Sequence, residues 1–199
     1  PNYGKNLIVE IETYRGCARW INGGCSFCVE PLRGRPIQRS KAGIINEISA
    51  LCNNGARAFR LGRQADILVY GSEKIGEEEW PIPNPKEIES LFHGIREICP
   101  QLDVLHIDNV NPGTISRYPN ESKEALINII KYHTPGDVAA FGIESLDPKV
   151  IKVNNLKVYF DDAIKAVEIV NSVGAIRGYN GMPELLPGIN FILGLPGET

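Results

Sequence analysis

Three cysteines near the start of the chain have a spacing suited to iron–sulfur chemistry. Cys17, Cys25 and Cys28 lie within twelve residues, and Cys25-Ser26-Phe27-Cys28 is a Cys-x-x-Cys turn. Such a turn would place two thiolates on adjacent corners of one cluster, and soft sulfur suits iron. Three protein ligands leave one iron of a [4Fe–4S] cluster open, as a metal that binds substrate requires.

The same cysteines allow other interpretations. A zinc site usually takes four protein ligands, and His93, His106 and His133 are all distant in sequence. His106 lies near a predicted strand end, so a Cys3His zinc site in an α/β binding module stays open. An iron–sulfur electron carrier and three unrelated thiols are further alternatives. Cys52 and Cys99 stand alone in helix-like segments and are interpreted as buried small hydrophobes.

Composition excludes several classes of protein. The chain has 199 residues, 43% of them hydrophobic, and a net charge of −3, which favours one globular domain and no general nucleic-acid surface. No apolar run approaches the roughly 20 residues of a membrane helix. Crowded cysteines without a secretory signal predict a reducing, cytoplasmic compartment. The sequence begins at Pro1 rather than at a methionine and stops at Thr199 shortly after a predicted strand. We therefore expect a domain over 1–199 within a longer polypeptide.

The hydrophobic pattern alternates between strand and helix. It predicts strands at 7–11, 56–61, 103–107, 138–143 and 189–193, and helices at 42–52, 85–98, 121–132, 148–153 and 161–173. Short apolar strands separated by helices require parallel pairing with right-handed crossovers. We expect an open or partial α/β barrel, with a doubly wound sheet as the competitor. In both architectures ligands bind at the carboxyl ends of the strands.

The Cys25–Cys28 turn resembles the Cys-x-aromatic-Cys end of the radical S-adenosylmethionine (radical SAM) motif. The resemblance covers nearly all of the chain, since the βα repeats match that superfamily's partial (β/α)6 barrel. It implies that the barrel is interrupted after the fifth strand and that a sixth follows Thr199. The common spacing has three residues between the first two cysteines, whereas this chain has seven. The four extra residues, within Ala18 to Gly24, must bulge outward.

The resemblance also implies a SAM pocket. Phe27 would pack near the adenine, and Leu61-Gly62-Arg63-Gln64 is similar to the turn whose carbonyls accept from the SAM amino group. Taken alone, Gly62 is an ordinary turn residue.

Two later strand ends extend the implied pocket. Glu144 and Ser145 resemble the segment that contacts the ribose and the carboxylate, although both suit a cap of the helix near Asp147. Ile192 would give the adenine an apolar face. It lies in a run, 190–199, that is similar to the Gly-Leu-Pro-Gly-Glu-Thr signature of methylthiotransferases, anaerobic coproporphyrinogen oxidases and cobalamin-linked members.

The implied activity is oxidoreductase chemistry with two cofactors, a [4Fe–4S] cluster on Cys17, Cys25 and Cys28 and SAM. A flavodoxin- or ferredoxin-like protein would supply one electron. SAM would then split into methionine and a 5′-deoxyadenosyl radical, which abstracts hydrogen from an unknown substrate. No membrane is implied. Arg15 and Arg19 flank the cysteines, and they either offset the cluster's charge or are simply solvated.

Overall fold

The computed structural model describes residues 7–198 of the chain. Its strands are β1 (Val9–Glu12), β2 (Tyr14–Arg15), β3 (Ile37–Gln38), β4 (Ala58–Gly62), β5 (Val104–Ile107), β6 (Asp137–Glu144) and β7 (Leu185–Phe191). Its α-helices are α1 (Lys41–Asn53), α2 (Pro85–Ile98), α3 (Pro112–Arg117), α4 (Pro119–Tyr132), α5 (Pro148–Val153) and α6 (Phe160–Gly174). Helices separate the long strands, which confirms the predicted α/β class.

The long strands pair in parallel. β4 lies between β1 and β5, and β6 pairs with β7. The two groups meet through a parallel bridge between Asn109 and Ala140, where Ala140 N donates to Asp108 O at 3.0 Å. The strands therefore follow one another in the order β1-β4-β5-β6-β7, and their carboxyl ends share one edge. β2 and β3 form a separate antiparallel pair.

The core lies between these strands and the helices. Phe59, Leu61 and Phe141 are fully buried on the strands, and Ile88 and Leu91 face them from α2. The helices begin where the sequence offers caps. Ser40 accepts from Gly43 N at the start of α1, and Asn84 accepts from Glu87 N at the start of α2. No helix among residues 7–198 is long and apolar enough to cross a membrane.

α3, β7 and the short β2–β3 pair differ from the sequence-based expectation. α3 was not predicted, because it is short and begins with Pro112-Gly113, a dipeptide that signals a turn; Asn111 caps it by accepting from Gly113 N at 3.0 Å. β7 begins at Leu185 rather than 189. Pro187 favoured a loop there, but among the described residues β7 pairs only with β6, and such an edge position tolerates proline.

The interpretation of Cys52 and Cys99 as separate buried thiols is wrong in this structure. The two cysteines form a disulfide, with a Cα–Cα distance of 6.3 Å. Cys52 lies in the last turn of α1 and Cys99 directly follows α2. α1 and α2 pack side by side, so residues 47 positions apart in sequence meet, which no local pattern indicates.

Candidate functional site

A cavity of about 220 Å³ lies at the carboxyl ends of the strands. Cys17, Cys25 and Cys28 all line it, and all three are free thiols in this structure. Residues at or beyond the carboxyl ends of β4, β5, β6 and β7 form much of the remaining wall. The cavity therefore lies where the parallel architecture predicts a ligand site.

The loop that carries the cysteines is closed by the short β2–β3 pair, which joins Arg15 to Ile37. Gly24 has a φ of +67° and lies against the Pro31 ring so closely that a Cβ would overlap it. Only glycine suits this position. Cys28 N donates to Cys25 O at 3.0 Å, so the Cys-x-x-Cys segment is a tight turn.

The seven-residue spacer between the first two cysteines folds as a short 3-10 helix, Ala18–Asn22. Trp20 N donates to Cys17 O at 3.0 Å, and Gly23 ends the helix in the left-handed region at a φ of 83°. The extra length is thus an ordered turn that leads back to the cavity, so Cys17 and Cys25 line the same space despite their separation.

A small apolar cluster lies beneath the cysteines. Cys25 packs with Val150, Ile151, Leu156 and Leu195.

Asn154, which is fully buried, connects three segments beneath the cavity. Its Oδ1 accepts from Ser26 Oγ at 2.7 Å and its Nδ2 donates to Pro196 O at 2.8 Å. Glu198 accepts from the backbone of Gly194 and Leu195. The Gly-Leu-Pro-Gly-Glu run thus supports the cysteine turn from below; Thr199 lies outside the described residues.

Four of the residues predicted for the SAM pocket line this cavity: Phe27, Arg63, Gln64 and Glu144. Three others do not: Gly62, Ser145 and Ile192.

Gly62 is part of β4, and Ile192 packs against the apolar cluster under the cysteines. Ser145 Oγ accepts from Asp147 N at 3.2 Å. Asp147, rather than Glu144 or Ser145, caps α5 by accepting from Lys149 N. The roles of all seven residues toward SAM stay predictions.

Backbone strain is concentrated at the cavity. Among the described residues, three that are not glycine have a positive φ: Arg63 at 69°, Glu144 at 68° and Asn155 at 49°. Arg63 and Glu144 line the cavity. Such conformations cost on the order of 1 kcal/mol or more and typically occur at functional sites. Strain at two strand ends therefore supports a functional role for this edge of the sheet.

Lys157 is a cavity residue that sequence reasoning missed. Burial raises the pKa of Glu144, and the nearby Lys157 opposes that rise. Burial also raises the pKa of Cys17 and Cys25, and the positive charges of Lys157 and Arg19 counteract it at both thiols. The cavity thus holds two cations that favour thiolates. Lys157 lies in a loop without periodicity, so no sequence pattern marked it.

Asp66 is a second missed cavity residue. Burial raises its pKa to about 6. Its carboxylate accepts from Thr114 Oγ1 at 2.7 Å and from Leu68 N at 3.1 Å. Nearby, Gln64 is 1% exposed, and its Oε1 has no hydrogen-bond partner among the described residues. A buried acceptor without a partner is costly, and at a cavity it is open to a donor from a ligand or a water molecule.

The donor set suits an iron–sulfur cluster better than zinc. His106 does not line the cavity; it lies on β5 with Nδ1 4.0 Å from Asp137 Oδ1. Within residues 7–198 no three His, Cys, Asp or Glu side chains are close enough to bind one metal ion. Three thiols around one cavity match the soft ligands of a cluster, which is larger than a single ion.

The comparison with known protein families agrees with a cluster site at the cysteine-lined cavity. The family model of the Radical SAM superfamily matches residues 11–199, and the chain belongs to that superfamily. Its members use a [4Fe–4S] cluster and SAM, which confirms the cluster predicted from the cysteines and the SAM cofactor that the resemblance implied.

The chain is also similar to several individual proteins. An uncharacterized protein of Methanocaldococcus jannaschii is 53% identical over 199 residues, which are 100% of this chain and 36% of that protein. A tRNA-2-methylthio-N(6)-dimethylallyladenosine synthase of Oleidesulfovibrio alaskensis is 28% identical over 98% of this chain and 37% of its own length. A ribosomal protein uS12 methylthiotransferase RimO of Pseudomonas aeruginosa is 23% identical, over 100% of this chain and 42% of its own length. The chain spans between about a third and two fifths of these relatives.

Proposed function

We propose that this chain is the core of a radical SAM enzyme, with the cluster on Cys17, Cys25 and Cys28 and SAM in the adjoining cavity. The observation that carries the proposal is that three free thiols line one cavity at the carboxyl ends of parallel strands. When bound, the cluster supplies the electron that splits the C5′–S bond of SAM into methionine and a 5′-deoxyadenosyl radical, which takes hydrogen from a substrate.

The other cavity residues supply complementary groups for SAM. Gln64 Oε1 offers an unpartnered acceptor to the amino group. Lys157 offers a positive charge to the carboxylate, and Glu144, which is 8% exposed, offers acceptors to the ribose hydroxyls. Phe27 offers an apolar ring face to the adenine. These contacts hold the sulfonium near the cysteines and displace water from it.

The strand order supports a partial (β/α)6 barrel. A doubly wound sheet reverses its order at a switch point, whereas these strands run β1-β4-β5-β6-β7 without a reversal. We infer that 1–199 is the radical SAM core domain of a cytoplasmic enzyme. An external one-electron reductant, flavodoxin- or ferredoxin-like, would reduce the cluster from outside.

The test is performed on anaerobically purified protein with a reconstituted cluster. Addition of dithionite and SAM is expected to release 5′-deoxyadenosine and methionine, measured by liquid chromatography. Cys25→Ala is expected to lose most of the bound iron and to reduce 5′-deoxyadenosine to background, because one cluster ligand is gone.

The double variant Cys52→Ala/Cys99→Ala is the matched control, since it removes two cysteines that do not line the cavity. Its iron content per folded chain should equal that of the wild type. Intact SAM beside a fully loaded cluster would identify an electron carrier instead. Stoichiometric zinc without iron would identify a zinc-binding module.

A further inference from the structure

A buried arginine donates a hydrogen bond directly to one of the three cysteine sulfurs. Arg19 Nη1 lies 3.1 Å from Cys25 Sγ, and the Arg19 side chain is only 4% exposed. A guanidinium group carries a positive charge in proteins. A hydrogen bond from a charged donor is stronger than a neutral one, and burial strengthens it further.

Other contacts fix the guanidinium in this position. Arg19 Nε donates to Glu79 Oε1 at 3.0 Å. Nη1 and Nη2 donate to the backbone and side-chain oxygens of Asn155 at 2.9 and 3.1 Å. Asn155 also donates to Gly24 O at 2.8 Å, which joins it to the residue before Cys25. Two segments far apart in sequence therefore hold Arg19 against the sulfur.

Asn155 adopts the left-handed region at a φ of 49° while it makes these contacts. Asn tolerates this conformation better than most residues, but the conformation still costs free energy. Asn155 directly follows the C-cap of α5, where Leu156 N donates to Ile151 O at 2.9 Å, so the capped helix end fixes its backbone and places its side chain against Arg19.

Arg15, the other arginine beside the cysteines, differs in each respect. Its side chain is 61% exposed and pairs with Glu12 at 2.8 Å. It does not line the cavity. An exposed charge is screened by water and salt, so of these two arginines only Arg19 acts on the sulfur at short range.

We infer that Arg19 is a positioning residue that raises the reduction potential of the cluster by holding a positive charge and an N–H donor against the Cys25 sulfur. The inference rests on the proposed function. Reduction adds one negative charge to the cluster, and a buried cation stabilises the reduced state more than the oxidised one. Hydrogen bonds to the ligand sulfurs act in the same direction. The seven-residue spacer is what supplies Arg19, since its 3-10 helix turns that residue back toward Cys25.

The test compares variants of opposite expected sign. Arg19→Met removes the charge and the donor, and is expected to lower the potential. Glu79→Gln removes the carboxylate charge beside the guanidinium but keeps an acceptor for Nε, and is expected to raise it. Arg19→Lys, which keeps the charge and loses the planar fork, should fall between the wild type and Arg19→Met. The potential is measured by redox titration of the cluster-loaded protein, followed by its electron paramagnetic resonance signal.

Arg15→Met is the matched control and is expected to leave the potential unchanged. General damage to the loop would not shift the two charge variants in opposite directions. If Arg19→Met binds too little cluster to titrate, the test uses Glu79→Gln by itself. An unchanged or lowered potential in Glu79→Gln then overturns the inference. Equal potentials in the wild type, Arg19→Met and Glu79→Gln overturn it as well. A wild-type protein that assembles no cluster at all would instead refute the proposed function.

Discussion

The two ends of the parallel strands differ in whether their polar groups are paired within the protein. At the carboxyl ends, thiols, a lysine and an unpartnered glutamine oxygen surround a cavity. At the amino ends of β6 and β7, polar side chains are paired with one another. His133 lies there with Nδ1 3.0 Å from Asp137 Oδ2 and Nε2 3.1 Å from Glu184 Oε2.

At the amino end, Asp137 has further hydrogen-bond partners besides His133. Its carboxylate also accepts from Ile107 N at 3.0 Å and Val138 N at 2.8 Å, which joins β5 to β6. The comparison separates stability from function, because the paired groups stabilise the fold whereas the free thiols and Gln64 Oε1 at the cavity are available to a ligand. Substitutions at the two ends should therefore differ in whether they change iron binding.

The largest expected effect is at the amino end. His133→Ala leaves Asp137 and Glu184 without the ring that lies between them, and should lower the free energy of unfolding by about 3 kcal/mol. Urea denaturation measures the loss. The iron content of the folded fraction should not change, since His133 does not line the cavity.

His93→Ala is the control for that substitution. His93 is exposed, lies 3.6 Å from Glu97 on the same helix and meets the Tyr132 ring edge-on at 5.6 Å, so its loss should cost about 1 kcal/mol or less. A loss of iron from folded His133→Ala would contradict the separation of the two ends.

A smaller effect is expected beneath the cavity. Asn154→Ala removes the partners of Ser26 Oγ and Pro196 O and should cost about 2 kcal/mol. In contrast to His133→Ala, it should also lower the iron content per folded chain, because Ser26 lies inside the Cys-x-x-Cys turn. Urea midpoints and iron analysis test both effects.

Asn54→Ala, at an exposed position after α1, is the comparison variant for Asn154→Ala. Asn54 Nδ2 donates to Ala50 O at 2.8 Å in an exposed position, so Asn54→Ala should cost less than about 1 kcal/mol. Full iron occupancy in Asn154→Ala would show that the turn does not need this support.

Much of the fold could be predicted from periodicity. The α5 bounds, 148–153, agree with the structure, and the bounds of α2 and α6 agree within a residue. These helices begin at proline or at capped turns, which are local signals. The Cys52–Cys99 bond could not be predicted in this way, because it depends on how α1 and α2 pack.

The site was only partly predictable for the same reason. Cys17, Cys25 and Cys28 could be identified from their type and spacing. Glu79 and Asn155 could not, since each lies in a loop without periodicity and acts through a contact at least 60 residues away in sequence. The sequence also left Arg15 and Arg19 equivalent, and only burial distinguishes them.

The smallest expected effect is a pH dependence at the cavity wall. The pKa of Asp66 is raised by burial to about 6, against about 3.9 in an unfolded chain. Between about pH 4 and pH 6 the folded state therefore binds more protons than the unfolded state, and this contribution to stability falls as the pH rises. It is fully present below about pH 4 and lost above about pH 6. Two pKa units represent about 3 kcal/mol, and we expect about half of that, because water in the cavity screens the charge.

Asp66→Asn isolates this contribution, since asparagine has nearly the same shape and does not titrate. The stability of the wild type minus that of Asp66→Asn, from urea denaturation at a series of pH values, should fall by about 1.5 kcal/mol between pH 4 and pH 6.5. The same difference for Asp103→Asn, an exposed carboxylate before β5, should stay flat. A flat curve for Asp66→Asn too would mean that water reaches this carboxylate freely, and that the cavity wall is no less solvated than the surface.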